Sequence, residues 1–136
     1  MERILCIDYG KVRTGIAVTD PLQIIVSPLD TVPTNDLKSF LDQYFTIENV
    51  STLVVGYPLQ LNGTKSETTV MVEDFIRLLR KWYPTKKIEL IDERLSSVEA
   101  NKIVLQSGVK KSKRKEKGII DKIAAVILLQ SYLERK

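Results

Sequence analysis

The stretch Arg3-Ile4-Leu5-Cys6-Ile7-Asp8-Tyr9-Gly10-Lys11-Val12-Arg13-Thr14-Gly15-Ile16-Ala17-Val18-Thr19-Asp20 constrains the fold more than any other. An apolar run from Ile4 to Ile7 ends on a single acid, Asp8, and Gly10 and Gly15 let the chain reverse into a second apolar run. Two strands and a tight turn therefore place a carboxylate at the solvent edge of a sheet. An acid at a strand end commonly does no more than cap a turn. Whether Asp8 does chemistry depends on what else the chain brings to the same edge.

A strand ending in Asp-x-Gly-x-x-x-x-Gly resembles two families that share a sheet. In the actin-like and sugar-kinase ATPases the hairpin holds phosphate; in the ribonuclease-H-like nucleases the Asp holds catalytic metal. The hairpin alone does not separate them, but length does. A chain of 136 residues with 43% hydrophobic residues is expected to form one domain, 1–136, with a substantial core. A two-lobed ATPase needs more than twice that length.

The N-terminus, Met1-Glu2-Arg3 followed at once by a strand pattern, lacks signal-peptide architecture, and no apolar run of about 18 residues is present. A cytoplasmic protein without membrane contact is expected. The single cysteine, Cys6, lies inside an apolar run and reads as core. With no histidine and one cysteine, a metal site must be built from oxygen, which favours magnesium or manganese over zinc.

The net charge of +4 is unevenly spread. Lys110, Lys111, Lys113, Arg114, Lys115 and Lys117 stand with one acid, Glu116, in eight residues, and hold more positive charge than the whole chain nets. Such a run is either a solvated loop or an arm that grips phosphates. The second reading makes it a mobile loop beside the active edge.

Further along, Gln23 to Leu29 predicts a third strand, completing an antiparallel meander. Thr34-Asn35-Asp36 opens a helix that carries Leu37, Phe40, Leu41 and Tyr44 on one face. Ser51 to Pro58 is a β-rich run of the kind buried on both faces in a parallel sheet. Thr64 with Glu67 predicts a capping box for a helix through Val72, Phe75, Ile76, Leu79 and Trp82 that Pro84 ends. At that spacing Trp82 reads as core and not as a platform for bases. Lys87 to Arg94 predicts a fifth strand ending in acids, and Ser96 with Glu99 caps a further helix that stops at Gly108. A long apolar helix from Gly118 to Leu133 closes the chain, with Asp121 in its first turn. The order βββαβαβαα predicts an α/β fold, a mixed five-stranded sheet with helices on both faces.

Three acids occupy comparable places: Asp8 and Glu93 at strand ends and Asp121 at the start of the last helix. Clustered carboxylates repel one another, and a divalent cation relieves that repulsion. One ion, or two held about 3.5–4 Å apart, can activate water and stabilise both oxygens of an in-line phosphodiester displacement. Three unrelated capping acids would give the same pattern.

The resemblance then becomes specific. Asp8-Tyr9-Gly10 with Arg13, Gly15, Ala17 and Asp20; Val55-Gly56-Tyr57-Pro58 with Asn62-Gly63; Asp92-Glu93-Arg94-Leu95-Ser96-Ser97 with Glu99 and Ala100; and Lys117, Asp121, Ala124-Ala125 and Leu129-Gln130 look like the motifs of the YqgF family, also called RuvX, a Holliday-junction-resolvase-like family taken to be pre-16S ribosomal RNA nucleases. The match runs from about residue 3 to residue 133. It implies a ribonuclease-H-like fold related to the RuvC-type resolvases and a hydrolase that cuts phosphodiester bonds with Mg2+ or Mn2+. By position, Asp8, Glu93 and Asp121 become the catalytic metal ligands. Strand alternation sends only one of Asp92 and Glu93 to the site, and Glu93 is the choice.

The RuvC-type resolvases carry a further acid one turn into the last helix, where this chain has Ala124. Arg13 and Arg94 are candidates to hold phosphate, and the loop through Asn62 is expected to border the substrate groove. The substrate implied is structured RNA, the 5′ end of pre-16S ribosomal RNA in ribosome maturation, with ribosomal particles as partners. Junction-specific DNA cleavage and a non-catalytic RNA- or ribosome-binding role are the alternatives. A monomer is expected rather than a dimer, because the strands and helices already use the apolar faces.

Overall fold

The computed structural model describes residues 1–94 and 117–135, with side chains in the second segment from Ile123 onward. Strand β1 (Arg3–Asp8), β2 (Arg13–Thr19) and β3 (Val26–Pro33) come first, and a 3-10 turn at Thr34–Asp36 leads into α1 (Leu37–Ile47). Then follow β4 (Val50–Tyr57), α2 (Glu67–Trp82), β5 (Lys87–Asp92) and α3 (Lys117–Arg135). The five strands form one sheet in the order β3-β2-β1-β4-β5. β1 is central, antiparallel to β2 and parallel to β4, while β5 is parallel to β4. This is the mixed α/β sheet that the sequence predicts.

Alternation along the strands sorts side chains into two cores. Leu5, Ile7, Ile16, Val18, Leu53 and Val55 meet Leu37 and Leu41 of α1 and Val72, Phe75, Ile76 and Leu79 of α2. On the opposite face Ile4, Cys6, Ala17, Val54 and Ile91 meet Ala125, Leu128 and Leu129 of α3. The middles of β1 (Ile4 to Ile7) and β4 (Leu53 to Val55) are continuously apolar because both of their faces are covered. Trp82 is partly buried against the first core, edge-on to Phe75, as its spacing predicts.

Several boundaries differ from the sequence reading. β3 begins at Val26, not Gln23, because the Asp20 carboxylate accepts the backbone N–H groups of Leu22, Ile24 and Ile25 and holds them in a turn. Helix α2 is capped by Ser66, not Thr64: the Ser66 hydroxyl accepts the Thr69 N–H, and the Thr69 hydroxyl accepts the Ser66 N–H. Thr64 is engaged elsewhere, its hydroxyl donating to Asn62 Oδ1 at 2.7 Å. β5 ends at Asp92, one residue short of Glu93. The helix opened by Ser96, its stop at Gly108 and the basic run through Lys115 lie outside the described residues.

Candidate active site

The central strand delivers Asp8 to the edge where β1, β4 and β5 end. Asp8 shares its alternation with Ile4 and Cys6, so it belongs to the α3 face of the sheet. Its cross-strand partner on β2 is Gly15, and the β1–β4 register, which pairs Ile7 with Val55, brings Gly56 alongside on the other flank. Both neighbours of the carboxylate thus lack a side chain.

Glu93 arrives from two strands away. Its backbone N–H donates to the Tyr57 carbonyl, extending the β4–β5 ladder by one residue. Its side chain then folds back across β4, so that a Cβ built on Gly56 would lie 2.5 Å from Glu93 Oε1 and 2.8 Å from Leu128 Cδ1. The carboxyl lies between strand β4 and helix α3, in a hydrogen bond with Asp8. Burial pushes Glu93 above the usual glutamate range; the Asp8 hydrogen bond offsets part of that rise, and the nearby Asp92 charge adds to it. Cys6, one turn of the pleat below Asp8, is fully buried, and burial first, then the Asp8 and Glu93 charges, raise its thiol well above the ordinary value.

Asp92 takes the other side of the strand. It accepts from the Arg94 backbone N–H at 2.9 Å and from Arg94 Nε at 2.8 Å, and the ion pair with the second guanidinium nitrogen is 2.6 Å long. The Arg94 side chain holds the Asp92 carboxyl below the usual range. The same guanidinium reaches the loop after β4, within 3.4 Å of where a Gly63 Cβ would stand. In that loop Asn62 Oδ1 accepts from both the Thr64 N–H and the Thr64 hydroxyl, forming a local turn. Lys65 Nζ and the Tyr57 hydroxyl both donate to Glu73 Oε2, tying the loop to α2.

The structure therefore brings Asp8 and Glu93 together and sets Arg94 and Asn62 at the adjoining loop. Arg13 opens β2, across from Pro33 at the far side of the hairpin turn. Asp121 falls in the second turn of α3, because the helix begins one residue earlier than predicted, at Lys117. It precedes Ala125 and Leu128, which pack on the sheet, by four and seven residues, a spacing that keeps one helix face. The side chains of Asp121 and Lys117 lie outside the described residues, as do Lys110, Lys111, Lys113, Arg114 and Lys115 altogether. Among the described residues no group of three or more His, Cys, Asp or Glu is placed to hold a metal ion.

The donor set nevertheless suits a hard divalent cation. Two adjacent carboxyls, one of them raised above the usual range by burial, are an all-oxygen pair whose ionised forms a cation would favour. Sequence reasoning missed the part played by Gly56. A glycine inside an apolar β-run was the available signal, since it marks a close approach by something else.

The chain matches, over residues 2–135, the family described as RuvX: Holliday junction resolvase. A relative from Bacteroides fragilis, named "Putative pre-16S rRNA nuclease", is 46% identical over 136 residues, covering 100% of this chain and 99% of its own. Relatives of the same name from Phocaeicola vulgatus and Flavobacterium johnsoniae are 48% and 46% identical, each across 100% of this chain and 98% and 99% of theirs. With the ribonuclease-H-like sheet in place and the match spanning both of its halves, the chain belongs to the RuvX family.

Proposed function

We propose that this protein is a divalent-metal-dependent endonuclease that hydrolyses phosphodiester bonds in the precursor of 16S ribosomal RNA. The observation that carries this reading is the meeting of Asp8 and Glu93 over Gly56. The names of the full-length relatives support RNA as the substrate class. Asp8 and Glu93 hold Mg2+ or Mn2+, with Asp121 as a third ligand from α3. When bound, the ion supplies Lewis-acid stabilisation of the phosphate and a more acidic water.

The remaining work falls to the chain. Asp92 fixes the Arg94 guanidinium toward the loop after β4, where it meets a phosphate oxygen of the bound strand. Leu128 and the buried wall around Cys6 keep bulk water from the inner side of the carboxyls. Lys110, Lys111, Lys113, Arg114, Lys115 and Lys117 add sequence-independent attraction for the backbone.

The test is cleavage of precursor ribosomal RNA and of an intact four-way DNA junction, side by side, with Asp8→Asn as control. RNA cut at a discrete site by the wild type and not by the variant is the expected result. Paired symmetric nicks in the junction, at a rate falling with the square of protomer concentration, would make the protein a dimeric resolvase instead.

A further inference from the structure

We propose that the cleft between the β1–β2 turn and the start of α2 seats one unpaired nucleotide of the substrate strand, with its base stacked on Tyr9. The cleft measures about 600 Å³ and, among the described residues, is lined by Tyr9, Gly10, Lys11, Glu67, Thr68 and Met71. That volume lies within the range of sites that enclose small ligands.

Tyr9 is built as a platform. Its ring stacks on Phe75 with centroids 4.0 Å apart and planes 11° from parallel. Phe75 is itself buried and held edge-on by Trp82. A ring backed in this way has already lost its rotamer freedom, so a base that stacks on it need not order it. The turn beside it is closed tightly at Gly10, where a Cβ would run into the Arg13 carbonyl oxygen.

The rest of the lining matches the parts of a nucleotide. Lys11 is exposed and places a cation at the mouth for a phosphate. Met71 offers a polarisable apolar wall, and Glu67 and Thr68 give a polar rim for the base edge. Single-stranded RNA is recognised by this combination of aromatic face, cation and polar edge. Position joins the cleft to the candidate active site. Asp8 and Tyr9 are consecutive, yet Asp8 belongs to the α3 face and Tyr9 packs on α2. A strand whose phosphate lies at Asp8 thus crosses the sheet edge with its next nucleotide at the cleft. The inference rests on the nuclease reading for the nature of that strand; a free mononucleotide would present the same chemistry.

The test uses a short single-stranded oligoribonucleotide carrying 2-aminopurine, titrated with the full-length protein without divalent metal. Wild type and Tyr9→Phe should quench the probe and bind within about twofold of each other. Tyr9→Leu should bind between about fivefold and a hundredfold more weakly and lose the quench. Thr68→Trp fills the cleft from an exposed rim position that leaves Phe75 untouched, so it should weaken binding even where Tyr9→Leu fails to fold. Affinity for a fully paired RNA of equal length should not change. Wild-type affinity in both Tyr9→Leu and Thr68→Trp, an equal loss on paired RNA, or adenosine monophosphate bound as tightly as the oligonucleotide would overturn the proposal. Because hydrolysis is not read, a protein that cuts RNA without quenching ends this inference alone. Quenching by a protein that never cuts supports the cleft and sinks only the nuclease reading.

Discussion

Glu93 reaches Asp8 by crossing an intervening strand, and it does so over Gly56, where a single methyl group would stand 2.5 Å from its carboxylate oxygen. A site shared between β1 and β5 needs β4 to be bare at this one position.

Gly56→Ala is therefore expected to injure the site more than the fold. The new methyl must displace Glu93, Leu128 or both, at a cost of about 1–3 kcal/mol typical of overpacking. Thermal unfolding should show a modest drop in Tm, and RNA cleavage should fall at least about tenfold. Wild-type cleavage in this variant would mean that Glu93 need not lie across β4.

Asp8→Asn removes one carboxylate of the pair, so cleavage should fall by about a hundredfold or more while the apo protein unfolds no earlier than wild type. Metal supplies a second readout. A ligand that binds only the native state at a hundred times its Kd stabilises it by about 2.7 kcal/mol. Mg2+ or Mn2+ should raise the Tm of the wild type and leave that of Asp8→Asn nearly unmoved. An equal rise in both proteins would place the ion elsewhere.

The raised Glu93 carboxyl gives a pH dependence of definite sign. Burial favours its neutral form in the native state, so the native protein holds a proton longer than the unfolded chain does. The stability this contributes is complete below the usual glutamate value near 4.5 and is lost as pH rises through the higher native value. Apo wild type should lose stability across that interval, Glu93→Gln should not, and metal affinity should rise with pH over the same span. Chemical denaturation at a series of pH values decides it, and a flat profile would contradict a Glu93 carboxyl raised by burial.

Cys6 should be inert in the native protein. It is fully buried, and burial together with the Asp8 and Glu93 charges disfavours its thiolate. A thiol-specific disulfide reagent should find no reactive group until denaturant is added, and then one per chain. Rapid native labelling would mean that the α3 face opens readily.

Much of this was legible in the residues. The continuous apolar runs of β1 and β4 and the helical spacing of Val72, Phe75, Ile76 and Leu79 predict elements that the structure contains, because long buried segments leave strong patterns. Ile24 and Ile25 misled: they are 70% and 63% exposed, since a single Asp20 side chain outcompetes β-pairing for their N–H groups. The α2 cap was ambiguous because two hydroxyl residues stand two positions apart, and the loop's own bonds to Thr64 decide between them. Asp8 and Glu93 are readable as candidates, but the crossing over Gly56 depends on sheet register, which no local pattern encodes.

The order of strands in space also differs from their order in time. β1 is the first strand to be synthesised and β5 the last, and β5 must pair along the outer edge of β4 before Asp8 and Glu93 can meet. A growing chain that has emerged only as far as β4 carries half of the carboxyl pair and nothing to complete it. The paired carboxyls thus exist only once the last strand of the sheet is in place.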